Sequence, residues 1–480
     1  MLDLREFRVL DRNSEFYGTP VSVLMDNAGR RVAESVLRSS EGRRNAVIVC
    51  GPGNNGGDGF AAAFHLRGKM AVTVILSTPG QSARSELLKS RFELISDIVC
   101  GREVIDTFKP KDVVVVDALL GSGLKGPPEG DFLSLIVLMD RMHSLGSKVI
   151  SVDVPSGFPT QVHVHPDITV TFHDSKDGMN ELNSGRIEIA DIGIPDRALK
   201  FTGPGEMVLY PVPGRESHKG NNGVVTVIGG GGFAGAPTFS SMAAYRTGAD
   251  LVYTIVPGRS YNAVSCFSPN LMPFRTAGDN FSPADVTTAM EWVQKSGAFV
   301  IGPGMNTDDA SSSFIERVLE AAPRAAVVDA AAIEVAGRKL SIIEGRRVVV
   351  TPHAKEFEKL TGESISGELA GRADQISSWA RELGVTILLK GATDIISDGN
   401  RTKFNETGNP GMTVGGTGDV LTGIVAALLS KGCSPFDAAR LGAFINGSAG
   451  DVCFLTRSFG LLATDVIESI PEVLVRYLRD

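Results

Sequence analysis

The chain has 480 residues, 55 of them glycine, and a formal net charge of −8. That length provides for roughly two to four ordinary domains, and the acidic balance leaves no basic field for a nucleic-acid backbone, so nucleic acid is disfavoured as a partner and none is expected. No apolar run reaches the ~18 residues of a membrane span, the opening MLDLREFRVLDR is no signal core, and five scattered cysteines lack a CxxC spacing. A reduced, cytoplasmic protein with no membrane partner is expected.

In chain order, Asn45 to Leu66, NAVIVCGPGNNGGDGFAAAFHL, predicts a short buried strand, a glycine-rich turn and an apolar helix. It is not a GxGxxG fingerprint: Asn54, Asn55 and Asp58 put side-chain oxygens and amides where a dinucleotide loop offers backbone alone. Further buried strands are predicted at Ala71 to Leu76, Val113 to Asp117 and Lys148 to Val152, with helical stretches between them. Such alternation means a parallel sheet covered on both faces. Three turns at the carboxyl ends of its strands, Asn54 to Asp58, Asp117 to Gly126 and Asp153 to Gly157, should form one pocket. There Asp117, Lys125, Asp153 and Ser156 supply a base, an acid and oxygen ligands for a hard cation. Taken singly, Asp153 reads equally as a turn cap and Lys125 as a solvated side chain. His163 and His165 stand two apart and could share a strand face as metal ligands, but no third ligand has a suitable spacing.

The segments LMDNAGRRVAE, GPGNNGGDGF, DALLGSG, LKG, VDVPSG, TVTF and ADIGIP stand in this order over about residues 1 to 200. In that set the chain resembles the N-terminal domain of the bifunctional NAD(P)H-hydrate repair enzyme family. The resemblance implies a Rossmann-like three-layer α/β domain over residues 1–207, an epimerase that interconverts the R and S forms of the hydrated nicotinamide ring. It implies that Asn54, Asn55, Gly56, Gly57 and Asp58, the run Gly121, Ser122, Gly123, Leu124, Lys125, Gly126 and Pro127, and Asp153 hold the hydrate. Asn55, Asp117 and Ser156 would bind a potassium ion, and Asp153 and Lys125 would be the acid–base pair. The segment FHDSKDGMN at 172–180 departs from the family, which usually has a proline before the lysine; this bears on loop shape.

Pro195, Pro204, Pro211 and Pro213 mark a domain boundary between Ile194 and His218. A second α/β unit then starts with a strand and glycine turn at Gly223 to Gly232, a helix at Thr238 to Gly248 and a strand at Leu251 to Val256. Strands at Ala298 to Ile301, Ala325 to Val328, Arg347 to Val350 and Val385 to Lys390 continue it, with turns GPG at 302–304, TPH at 351–353 and KGATD at 390–394. Last comes NPGMTVGGTGDVLTGIVAALL, Asn409 to Leu429. Gly415, Gly416 and Gly418 let backbone N–H groups converge at a helix start, which suits an anion, and Asp419 beside it suits a general base for phosphoryl transfer. The plainer alternatives are that Asp419 only N-caps its helix and that His353 is structural.

HKGNNG, GAP, GADLV, IGPG, TPH, LKGATD and the Asn409 to Leu429 segment stand in an order that resembles the ADP- or ATP-dependent NAD(P)H-hydrate dehydratase domain, a ribokinase-like fold, over roughly residues 213 to 480. The domain is placed at 208–480. The resemblance implies that Ala236, Gly304, His353 and Asp419 contact the hydrate, and that Lys390, Gly391, Ala392, Thr393, Asp394 and Gly418 bind the adenine nucleotide. Magnesium would accompany ADP or ATP, because the transferring phosphates need neutralising. DAAA at 329–332 stands where the family often has DALN, and Lys355 where a glycine is common. The whole resemblance implies repair of NADHX and NADPHX, the hydrates of NADH and NADPH: epimerisation of R and S forms, then dehydration of the S form with conversion of ADP to AMP, or ATP to ADP, and release of phosphate. A homo-oligomer is expected. The alternative is a vitamin-type small-molecule kinase with a non-catalytic N-terminal binding module, which the acid–base residues of the first half disfavour.

Overall fold

The structure, a computed structural model, describes residues 4–77, 98–100, 107–124, 126–365 and 367–478. The chain divides into two compact units, Met1–Leu199 and Lys200–Asp480. The division falls earlier than the boundary expected after residue 207. Residues 200–209 pack with the second unit: the Thr202 amide donates to Phe404 O at 2.8 Å, and Met207 and Leu209 are buried.

The first unit is built on seven parallel strands, β1 (Asn45–Cys50), β2 (Ala71–Leu76), β3 (Ile98–Cys100), β4 (Val113–Ala118), β5 (Lys148–Val152), β6 (Ile168–Phe172) and β7 (Arg186–Ala190), in the order β3-β2-β1-β4-β5-β6-β7. Runs such as VVVVDA form strands because β-branched side chains suit a pleat buried on both sides. Helices α1 (Leu4–Phe16), α2 (Val21–Arg38), α3 (Asn54–Leu66) and α4 (Gly130–Ser144) accompany the sheet. Ile48, Cys50, Val114 and Val116 pack with α2 and α3 on one face, and Val47, Val49, Val113 and Val115 pack with α4 on the other. The sequence chain order turns outward in both directions from β1 and β4, so the crevice at their carboxyl ends is a topological switch point. The segment Asn54 to Asp58, expected as a turn, is already the start of α3. Strands β3, β6 and β7 were not predicted.

The second unit carries nine strands, β8 (Val224–Ile228), β9 (Leu251–Val256), β10 (Met272–Arg275), β11 (Ala298–Ile301), β12 (Ala325–Val328), β13 (Val348–Val350), β14 (Thr386–Leu389), β15 (Asp394–Ser397) and β16 (Thr402–Asn405), ordered β10-β9-β8-β11-β12-β13-β14-β15-β16. Strands β8 to β14 pair in parallel, and the β14–β15 and β15–β16 pairs are antiparallel. The switch point here lies between β8 and β11. Helix Gly235–Arg246 packs against helix Thr417–Ser430 so closely that a Cβ on Gly423 would stand 2.1 Å from Ser240 O. No helix among the described residues is long and apolar enough to cross a membrane.

Candidate active sites

At the switch point of the first sheet lies a cavity of about 680 Å³ whose wall includes Asn54, Asn55 and Asp58 from α3, Gly121, Ser122, Gly123 and Leu124 after β4, and Asp153 after β5. The three strand-end turns thus meet at one cavity. Gly56 and Gly57 are buried within α3 behind it, and Gly126 and Pro127 are exposed and are not part of its wall. Lys125 lies outside the described residues.

Beside the wall, the fully buried Asp117 carboxylate accepts from Ser151 Oγ and the Ser156 amide, both at 2.8 Å, and from Ser156 Oγ. Burial pushes this carboxyl up, and the hydrogen bonds from Ser156, Ser151 and Leu119 work against the rise. Ser156 Oγ also accepts from the Leu120 amide at 2.8 Å, while Asn55 Nδ2 donates to Leu120 O at 3.2 Å. Asn55, Asp117 and Ser156 therefore converge around Leu120, offering one carboxylate among neutral oxygens. His163 and His165 stack 4.6 Å apart, but His165 pairs with Asp140 and His163 meets Val164 O.

Asp153 holds φ at +64° and His173 at +65°, the left-handed region that non-glycine residues occupy at a cost and chiefly at functional sites. The ion-pair partner of Asp153 is Lys176, whose side chain is 1% exposed. Burial pushes the Asp58 carboxyl up, with Asp153 and Asp11 adding to the rise and Lys176 opposing it. Lys176 was missed from the sequence: it lies in FHDSKDGMN, a polar stretch without periodicity, and only the pairing of β5 with β6 sets it against Asp153.

In the second unit Asp419 lies in the first turn of helix Thr417–Ser430, but the N-cap is Gly416, at φ +101°. The capping alternative for Asp419 is thereby removed. A side chain at Gly416 would also meet the Phe239 ring at 2.7 Å, so glycine is required there twice over. Lys390, at the end of β14, donates to Asp329 Oδ1 at 2.9 Å and lies 3.5 Å from Glu356 Oε2. A Cβ on Gly418 would sit 3.5 Å from Lys390 Nζ. Burial is the largest cause raising the Asp419 carboxyl to about 7; Asp329 and Glu356 raise it further and Lys390 opposes them. Lys390 itself is raised, because Asp329 and Glu356 outweigh the burial that disfavours its charge.

His353 begins a capping box: its Nδ1 accepts from the Glu356 amide at 3.2 Å and Glu356 Oε2 accepts from the His353 amide at 2.9 Å. The structural reading of His353 is thus present, yet its side chain is 52% exposed and its backbone bridges to Lys390. Gly304 O accepts from the Gly232 and Phe233 amides, and its missing Cβ would face Ala236 Cβ at 3.1 Å, so Gly304 and Ala236 adjoin at the β8–β11 switch point. Asp394 accepts from the Gly391 amide at 3.0 Å and from Asn405 Nδ2 at 3.0 Å, closing the turn that carries Ala392 and Thr393; burial lifts its carboxyl to about 6. Asp329 and Glu356 were missed. DAAA was read for its departures, although its first residue is 3% exposed and also accepts from Thr351 Oγ1 at 2.8 Å.

Two α/β units, each with a buried carboxyl–lysine group at its strand ends, define an enzyme with two centres. A family model described as NAD(P)H-hydrate dehydratase matches residues 225–472, and one described as YjeF-related protein N-terminus matches residues 21–178. A bifunctional NAD(P)H-hydrate repair enzyme from Hyperthermus butylicus is 37% identical over 97% of this chain and 90% of its own; one from Pyrobaculum aerophilum is 37% identical over 98% and 97%. A ribokinase-like superfamily protein of Enterococcus faecalis shares the fold of the second unit, at TM-score 0.52 and 24% identity over 58% of this chain and 96% of its own. The chain belongs to the family of bifunctional NAD(P)H-hydrate repair enzymes. The alternative of a plain kinase with an inert first unit is left without support.

Proposed function

We propose that the first unit epimerises the R and S hydrates of NADH and NADPH, and that the second dehydrates the S form with an adenine nucleotide. The observation that carries this reading is Asp419, a carboxyl near 7 on a helix start, between the glycines of an anion-holding turn and the Lys390–Asp329 pair. A carboxylate so tuned takes the proton of the ring hydroxyl while that oxygen attacks the terminal phosphoryl group. The phosphorylated oxygen then leaves as phosphate, with AMP left from ADP or ADP from ATP, the adjacent ring carbon gives up its proton to water, and the electrons of that C–H bond restore the ring double bond. Lys390 to Asp394 and Gly418 would hold the nucleotide, Ala236, Gly304 and His353 the hydrate. Magnesium would neutralise the phosphates when the nucleotide is bound.

In the first unit Asp153 exchanges a proton with the hydrated ring, Lys125 being its partner in the acid–base pair, and the residues from Asn54 to Asp58 and Gly121 to Pro127 hold the substrate. Potassium fits Asn55, Asp117 and Ser156, since a single carboxylate among neutral oxygens balances a monovalent ion and undercompensates a divalent one. The protein acts in the cytoplasm as a homo-oligomer, for which the exposed Leu455, Phe459 and Leu462 of the second unit offer apolar surface. Purified protein given both hydrate epimers, with ADP and ATP in turn, tests the reading: it fails if the R form persists or if dehydration needs no nucleotide.

A further inference from the structure

Lys176 has no role in the reading above, and its surroundings are uncommon for a lysine. Long cationic side chains normally extend their ammonium to water, and a buried ammonium is tolerated only where a carboxylate and other oxygens replace the lost hydration. Lys176 Nζ pairs with Asp153 Oδ1, donates to Thr171 Oγ1 at 2.8 Å and to Phe172 O at 3.3 Å, and lies 4.2 Å from the centre of the Phe7 ring. The ammonium thus ties the end of β6 to the residue that follows β5, with an aromatic ring from α1 over it. Asp153, in its left-handed backbone conformation, stands on the cavity wall.

The charged and titratable groups on that wall are Arg8 and Asp11 from α1, Asp58 from α3, Asp153, His173 and Lys176. Two of the carboxyls, Asp58 and Asp153, are candidates to take a proton from a hydrated ring. We propose that Lys176 is a positioning residue for epimerisation, holding the Asp153 carboxylate aimed into the cavity so that Asp153, and not Asp58, exchanges the proton with the substrate. The inference rests on the assignment of epimerisation to the first unit. Asp58 is raised by burial first and then by Asp153 and Asp11, with Lys176 opposing, so its charged form is the disfavoured one.

The test uses Lys176→Met and Lys176→Gln in the full chain, with the R hydrate as substrate, excess nucleotide, and the pH profile of epimerisation as the readout. Losing the opposite charge should move the acidic limb up by about 1–3 pH units and lower kcat about tenfold per unit at any pH on that limb, with KM little changed. Lys176→Arg should keep the limb in place. Asp58→Asn leaves the Lys176 pair intact and should also keep the limb in place, whatever it does to substrate affinity, which separates Asp58 from Asp153 as the proton carrier. An unmoved limb in folded Lys176 variants, or a limb abolished by Asp58→Asn, overturns the role of Lys176 alone. A wild type that leaves the R hydrate untouched overturns the epimerase assignment with it.

Discussion

Lys390 Nζ stands 2.9 Å from Asp329 Oδ1, and this pair has opposite effects on the Asp419 carboxyl: the aspartate raises it and the lysine lowers it. The base form of Asp419 exists above its pKa of about 7, so nucleotide-dependent dehydration should fall away as pH drops below that value. Removing the like charge in Asp329→Asn should shift this acidic limb down, and removing the opposite charge in Lys390→Met should shift it up. Profiles of kcat/KM for the S hydrate that move together, or do not move, refute the arrangement.

Asp419→Asn should cost about 10²- to 10⁴-fold in dehydration while epimerisation continues. Coupled assays on separate R and S hydrates measure both rates in one sample. Near-normal dehydration would reduce Asp419 to a helix residue with no catalytic part.

Asp153→Asn keeps size and hydrogen bonding but removes basicity. A mixed pool of epimers should then be consumed in two phases, the S form quickly and the rest at the uncatalysed epimerisation rate. A single fast phase matching the wild type would exclude Asp153 as the proton carrier.

Residues 200–209 predict where the chain tolerates cutting. Glu206 is buried and lies 3.3 Å from Arg440, itself 2% exposed, so a fragment starting near Gly214 leaves that guanidinium with Asp437, at 2.8 Å, but without its second carboxylate. Losing one of two carboxylate partners of a buried guanidinium costs about 1–3 kcal/mol, or roughly 2–12 °C in Tm for a unit of this size. A fragment starting at Lys200 should melt higher by that amount; equal melting would mean that the segment is dispensable.

The sequence was most legible where side chains are buried on both faces of a sheet. The runs at 45–50, 113–118 and 148–152 contain little but apolar and β-branched residues, and their strands lie within a residue of expectation. Strand β16, TKFN, has a half-polar alternation over four residues, and the antiparallel β15–β16 pair was missed for that reason. Glycine turns pointed to Asp153 and Asp419, because glycine clusters mark close backbone approach locally. Lys176 and Asp329 act through partners 23 and 61 positions away, Asp153 and Lys390, and nothing in their own neighbourhoods signals that distance.

The hydroxyl of Ser240 donates to the Asp419 carbonyl across 179 positions of chain. During synthesis at about 5–20 residues per second, the helix that seats this carbonyl waits roughly 10–40 s for its counterpart to emerge. The first unit closes within Met1–Leu199, before any of that interval begins. A ribosome carrying this chain therefore displays a finished epimerase fold well before the dehydration centre can assemble, and the two activities should appear in that order in a timed translation reaction.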